Sequence, residues 1–286
     1  MLSRNEHRVN GRALTTFRRE VWNYWKKHGR HDLAWRKTKD PYKILVSEVM
    51  LQQTQVPRVS EKYGKFLKKF PNTRALARAK LVDVLRIWSG MGYNRRAKYL
   101  HDAAKIIVEK HGGKVPRDFA ALRTLPGVGP YTASAIRVFA FNEPDTLIET
   151  NIRAAFIHHF YSSVLQKTAI TDGQILPIAK RAAEGNNPPA GGPRKWHWAL
   201  MDYGAYLKRS GVRNNHRSAH YVRPSKFEGS LRQIRGAILR TLTAGPKTDD
   251  QIYRPIRANR PVVNLALAGL ARDGLIVKKK GAWRIA

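Results

Sequence analysis

Charge is the strongest constraint on this chain: 54 Lys and Arg stand against 20 Asp and Glu, a formal net charge of +34 over 286 residues. Self-repulsion of that size opposes a compact state unless a polyanion neutralises it, so the sequence points to nucleic acid as partner. The basic residues are spread along the whole chain rather than gathered in one block, which argues against a membrane-surface reader. No apolar run approaches the roughly 20 residues needed to span a bilayer. The segment from Met1 to Arg30 is rich in Arg, Lys and His and has no apolar signal core. The expectation is a soluble, cytoplasmic, monomeric protein that works on double-stranded DNA.

Cysteine is absent. That excludes disulfides, thiolate zinc sites, a cysteine nucleophile and an all-cysteine iron–sulfur cluster. Apolar periodicity predicts helices over Leu14–His28, Tyr42–Gln53, Ser60–Phe70, Thr73–Ala79, Lys80–Ser89, Arg95–His111, Phe119–Thr124, Tyr131–Phe141, Asn151–Phe160, Ile170–Ala183 and Trp196–Leu207. Asn186 to Gly192 reads as a loop, and Arg209 to Pro224, rich in Arg, His and Asn, reads as a linker or a strap lying on DNA. Three further helices, Leu231–Leu242, Asp249–Ile256 and Val262–Asp273, precede a small hairpin that turns at Lys280-Gly281. That ending resembles a winged helix, a module whose third helix often enters a major groove. The fold class is all-α.

Two motifs carry chemistry. Leu125-Pro126-Gly127-Val128-Gly129-Pro130-Tyr131 places two glycines between helices, where the backbone must turn tightly. Amides at the start of the helix that follows can grip a phosphate. An ordinary glycine-stabilised turn is the plainer alternative. In Ser47-Glu48-Val49-Met50-Leu51-Gln52-Gln53-Thr54-Gln55 a carboxylate is embedded in an apolar helix and followed by a polar cluster. A second acid, Glu149, stands just before a helix in Leu147-Ile148-Glu149-Thr150-Asn151, and Gly90-Met91-Gly92-Tyr93-Asn94-Arg95-Arg96 sets an aromatic beside a basic helix start.

These blocks, together with Leu33 to Arg36, Pro41 to Lys43, Asn151 to Arg153 and Ala199 to Ala205, resemble the helix-hairpin-helix DNA glycosylase superfamily, most closely its adenine DNA glycosylase (MutY-like) branch. The resemblance covers about residues 14–207. It implies a six-helix lobe over about 36–148, a second lobe from 1–35 and 149–208, a basic linker over 209–228, and a winged-helix-like domain over 229–286. It also implies that adenine opposite guanine or 8-oxoguanine is flipped into a pocket between the lobes. Glu48 aligns with the acid that protonates the adenine ring, a role that requires a carboxyl with a raised pKa. Glu149 aligns with the carboxylate that stabilises the sugar cation, and Asn151 with the neighbour that orients it. Gln52 matches a residue wedged into the base stack, Tyr93 the aromatic beside the mispaired guanine, and Arg36 a residue near the flipped base; Gln53 and Thr54 complete the recognition set. Leu125, Gly127, Val128 and Gly129 form the phosphate-binding hairpin, which can also hold a monovalent cation. Tyr131 stands where strand-cleaving relatives carry lysine, so a Schiff base is not expected.

Three departures stand out. Glu149-Thr150 replaces the family's Asp-Gly, and an ångström of carboxylate displacement can cost about 10²-fold in rate. The four cluster cysteines are missing, so no cofactor or metal is expected, and Arg209, Arg213 and Arg217 are read as phosphate contacts in the cluster's stead. The usual 8-oxoguanine-reading domain is replaced by the winged-helix-like ending. Two other readings remain open: a same-fold glycosylase for thymine or uracil opposite guanine, and a weakly catalytic mismatch-binding protein. His159, His216 and His220 lack an acid cluster and read as phosphate contacts or exposed residues rather than metal ligands.

Overall fold

The computed structural model describes residues 9–162, 169–184, 192–212, 214–221 and 226–286. In chain order its helices are α1 (Gly11–His28), α2 (Pro41–Leu51), α3 (Val56–Lys69), α4 (Thr73–Arg78), α5 (Leu81–Trp88), α6 (Arg95–His111), α7 (Phe119–Arg123), α8 (Pro130–Ile136), α9 (Thr150–Phe160), α10 (Asp172–Glu184), α11 (Gly192–Arg209), α12 (Leu231–Thr243), α13 (Asp249–Tyr253) and α14 (Arg260–Arg272). Strands β1 (Ile276–Lys279) and β2 (Ala282–Ile285) follow. They group into two compact units that alternate along the chain: Met1–Lys37 with Ser134–Arg223, and Thr38–Ala133 with Pro224–Ala286.

The first unit is built on α1, α9, α10 and α11. Helix α1 starts on Asn10, whose side chain accepts the Ala13 amide at 2.8 Å, and buries Leu14, Phe17, Val21 and Trp22 on one stripe. Helices α9 and α11 pack so closely at Gly204 that a Cβ there would lie 1.9 Å from the Asn151 carbonyl oxygen. Trp196 and Trp198 are buried on α11.

Of the strap after α11, the described stretch 214–221 is fastened to its own unit. Ile170 and Ser218 form a parallel β-bridge, and Arg217, 6% exposed, donates from Nη2 to the Tyr161 carbonyl at 2.7 Å. The expectation that Arg217 meets phosphate is therefore corrected: its guanidinium is spent inside the protein. Arg209 is exposed and reaches Tyr24 Oη at 3.1 Å. The third arginine of that expectation, Arg213, and most of the loop read over 186–192 lie outside the described residues.

In the second unit α2 is buried nearly all round, by Tyr42, Ile44, Leu45, Val46, Val49 and Met50, as befits a central helix. Asp40 caps it by accepting the Tyr42 amide at 2.9 Å, and Pro41 opens its first turn. Helix α12 uses one stripe, Ile234, Ile238, Leu239 and Leu242, to pack against α14, α5 and β2. Arg86 on α5 donates to the Thr243 carbonyl at 2.8 Å, and Asp273 takes both Arg95 and Arg235. The last sixty or so residues are thus bound onto α5 and α6 rather than tethered to them. Their hairpin pairs Ile276 with Ile285 and turns through Lys280 and Gly281, both at positive φ, the type I′ geometry. The outward side of α14 offers Pro261, Asn264, Leu265 and Ala268, with arginines only at its ends.

Candidate active site

Glu149 is the N-cap of α9, in extended backbone conformation. Its Oε1 accepts the main-chain amides of Asn151 and Ile152, each at 2.9 Å, and its Oε2 accepts Asn151 Nδ2 at 3.2 Å. Burial pushes this carboxyl up from its usual value, while the two amides, Arg153 and the Asn151 side chain pull it back. The segment leading to it is pinned by His197, whose Nε2 accepts the Leu147 amide at 3.1 Å and whose Nδ1 donates to the Pro193 carbonyl at 2.8 Å. Arg153 in turn holds Asp172 through two bonds of 2.6 and 2.9 Å. Glu149 and Asn151 are therefore set by a helix start, and Gly204 lets α11 close over that start.

Arg36 belongs to the same unit. Its guanidinium, 5% exposed, makes a fork to both oxygens of Asp202 at 2.7 and 2.9 Å and lies over the Trp198 ring. Arg30 completes the cluster on Asp202. Despite burial, these two cations hold the Asp202 carboxyl below its usual range. In this structure Arg36 is committed to Asp202. His159 is likewise occupied, by Tyr203 Oη at 2.8 Å, and among the described residues no three His, Asp or Glu side chains gather as a metal site would need.

In the second unit Glu48 sits on α2, half-buried, one turn before the helix ends at Gln52. Gln52 Nε2 donates to the Gly127 carbonyl at 3.4 Å and to Thr132 Oγ1 at 3.2 Å, so the end of α2 is sewn to the turn between α7 and α8. In that turn Leu125 and Val128 point into the core, Gly127 has φ +76, and a Cβ on it would meet Tyr99 at 2.9 Å. Only glycine fits there. Gly129 is exposed just before α8, and Tyr131 is partly exposed in the first turn of that helix. Gln53 and Tyr93 both adopt positive φ, 53° and 44°, a conformation uncommon for side chains of this size and often found where function holds it.

One residue ties the end of α2 to the 90–94 loop and is missing from the recognition set read from the sequence. Arg96, 8% exposed, donates through Nη1 to the carbonyls of Val49 and Met50 at 2.9 Å each and of Gln52 at 2.5 Å. Its Nη2 reaches Thr54 Oγ1 at 2.9 Å and the carbonyls of Met91 and Gly92 at 3.3 and 3.2 Å. Desolvation lowers its pKa to about 10. It caps the end of α2 and fixes the 90–94 loop at once. The signal in the sequence is an arginine pair at a helix N-terminus, where the helix dipole disfavours cations.

Comparison with known proteins bears on these sites. Residues 46–190 match the family model "HhH-GPD superfamily base excision DNA repair protein". An adenine DNA glycosylase of Buchnera aphidicola subsp. Baizongia pistaciae is 36% identical over 191 residues, 67% of this chain and 52% of the relative. The chain thus spans about half the length of that relative. An adenine DNA glycosylase of Mycolicibacterium smegmatis is 32% identical over 270 residues, 88% of this chain and 90% of the relative. Among solved structures, a thermostable thymine-DNA glycosylase superposes with a TM-score of 0.58 at 25% identity, covering 70% of this chain and 94% of that one.

Proposed function

Since the chain belongs to the HhH-GPD superfamily of base excision DNA repair proteins, we propose that it is a monofunctional DNA glycosylase acting on adenine mispaired with guanine or 8-oxoguanine in double-stranded DNA. The observation that carries this reading is the similarity to an adenine DNA glycosylase along most of both chains. Extruding the adenine costs a few kcal/mol and is easiest at a mispair. Glu48, on the apolar helix α2, is then the acid that protonates the adenine ring and turns a poor leaving group into a good one. The Glu149 carboxylate meets the positive charge that grows on the sugar as the glycosidic bond breaks, and water completes the hydrolysis.

The contacts of Glu149 suit that task. Two amides and the dipole at the start of α9 favour its anion, and Asn151 fixes the second oxygen. Burial acts the other way, so activity falls on the acid side as Glu149 takes up a proton. In this reading Leu125, Gly127, Val128 and Gly129 form the turn that holds a phosphate and can take a monovalent cation. Gln52, Gln53, Thr54 and Tyr93 meet the mispair. A phenol cannot form a Schiff base, so Tyr131 leaves the strand intact. Hydrolysis is redox-neutral, and we read the reaction as needing no cofactor.

One observation favours a second reading, thymine or uracil opposite guanine: the likeness to a thymine-DNA glycosylase. The experiment is to incubate excess protein with duplexes holding A:8-oxoguanine, A:G, T:G or U:G and then treat with alkali. Breaks at adenine alone, abolished by Glu48→Gln, are expected. Breaks at thymine or uracil support the second reading, and tight binding with no breaks at all points to a mismatch sensor.

A further inference from the structure

Two arginines that lie far apart in the sequence both come within cation–π distance of the Tyr93 ring. Arg96 holds its guanidinium 5.5 Å from the ring centroid, and Arg232, on the first turn of α12, lies 5.1 Å from it. Arg232 Nη1 also donates to Tyr93 Oη, and the same guanidinium lies 5.5 Å from the Phe227 ring. Tyr93 nevertheless stays 37% exposed and Phe227 57% exposed. Two cavities adjoin this cluster. One, of about 580 Å³, is lined by Gln52, Gln53, Tyr93, Gly127, Arg232 and Arg235 among others. The other, of about 270 Å³, lies between the 90–94 loop and α12, with Arg58, Phe227 and Arg240 on its walls. The acid of the larger cavity, Asp273, is already paired with Arg95 and Arg235.

Exposed aromatic rings interleaved with guanidiniums make a stacking surface for nucleobases. The volume of the larger cavity lies in the range of small-ligand clefts. About a third of that lining, Leu231, Arg232, Arg235 and Asp273, comes from residues after Pro224; the rest comes from the 52–53 turn, the 90–94 loop, the start of α6 and Gly127. We propose that Arg232 is a specificity-determining residue: it orients Tyr93 and, with it, receives the guanine or 8-oxoguanine left opposite the excised adenine, so that the C-terminal helical segment reads the intact strand through α12. This rests on the reading that Tyr93 and Gln52 face the mispair. A guanidinium fork matches the O6 and N7 acceptors of guanine; in 8-oxoguanine N7 carries a proton, but O6 and O8 remain acceptors for a guanidinium, whereas cytosine offers an amino donor in the corresponding place. The outward side of α14, with Asn264 its sole polar side chain between the terminal arginines, has little to read bases with.

The test uses the full chain and its variants Arg232→Ala, Arg232→Lys and Tyr93→Phe. The probes are duplexes with adenine, or with 2′-fluoro-2′-deoxyadenosine to block hydrolysis, opposite 8-oxoguanine, guanine or cytosine. Affinity is read by fluorescence anisotropy at fixed salt. Arg232→Ala is expected to weaken binding opposite 8-oxoguanine and guanine by about 10- to 100-fold more than opposite cytosine, the discrimination a lost fork removes. Arg232→Lys keeps the charge and is expected to lose most of that discrimination too. Tyr93→Phe removes only an exposed hydroxyl, so it remains folded and carries the test if Arg232→Ala does not; it is expected to share part of the loss. Equal weakening on all three duplexes would show a plain phosphate contact and overturn the proposal, as would full discrimination in Arg232→Lys and Tyr93→Phe. Failure of the wild type to release adenine from any duplex defeats the adenine reading instead, and the fluoro-duplex binding series still reports on Arg232.

Discussion

Acid should loosen the first unit through one side chain, His197. Its ring is 2% exposed and neutral, with Nδ1 donating to the Pro193 carbonyl and Nε2 accepting the Leu147 amide. A proton on Nε2 would face that amide N–H, and burial already lowers the pKa from 6.5 to about 4. The unfolded chain takes up this proton as pH falls below 6.5, and the folded chain does so only near 4. Stability linked to His197 is thus full above pH 6.5 and is lost progressively down to about 4. At about 1.4 kcal/mol per pH unit, the loss is about 3 kcal/mol. His101 and His159 are also held low by burial, so the wild-type slope is shared among several groups. The variant His197→Gln isolates the contribution of this ring, because its amide oxygen can still accept from Leu147 but does not titrate. Urea unfolding followed by tryptophan fluorescence from pH 7.5 to 4 should show the variant about 1 kcal/mol less stable at neutral pH, from its lost donor to Pro193. The gap should then close or reverse toward pH 4. Parallel curves for the two proteins would refute the reasoning.

Three other outcomes follow from the contacts. Gly204→Ala drives a methyl into the Asn151 backbone; it should cost about 3 kcal/mol or more, read as a lowered Tm, and should cut adenine release by displacing Glu149. Glu149→Gln removes the anion and should reduce single-turnover adenine release by about 10²-fold or more, whereas Glu149→Asp should retain or raise activity; a dead Asp variant removes Glu149 from the reaction. Arg217→Met should destabilise by about 3 kcal/mol, since it removes the buried bond to the Tyr161 carbonyl and leaves a guanidinium-sized gap, while Arg209→Gln should flatten the salt dependence of DNA binding by about 0.9 in log–log slope if Arg209 meets one phosphate.

The helices are largely legible in the sequence because each apolar stripe and each Asn, Asp or Ser cap is local information; α6 and the Lys280-Gly281 turn fall where periodicity and turn chemistry put them. The tight turn at Gly127 is legible for the same reason, since two glycines after proline announce it. Partnerships over long sequence separations are not. Arg36 reads as a group for DNA until Asp202, 166 residues later, takes its fork. Arg217 reads as a phosphate contact until Tyr161 claims it. The arginine pair at the start of α6 hints at Arg96, but nothing local shows that six acceptors from two stretches, 49–54 and 91–92, converge on it. The seating of α12 on α5 is hidden likewise, because the stripe that packs on α14 would look the same in a free-standing domain.

The alternation of the two units along the chain governs the order in which the protein can be made. Residues 38–133 leave the ribosome before the segment that completes their unit, which starts at Pro224. At 5–20 residues per second the intervening stretch takes about 5–18 s to synthesise. For that interval the α5 surface that α12 will cover is bare, and the first unit is closing around a helix, α1, made before residues 38–133. Vectorial, domain-by-domain folding is therefore not available to this chain. Residues 224–286 are therefore a folding requirement of the second unit, and a ribosome stalled after residue 223 would hold that unit incomplete, with apolar surface still open to aggregation.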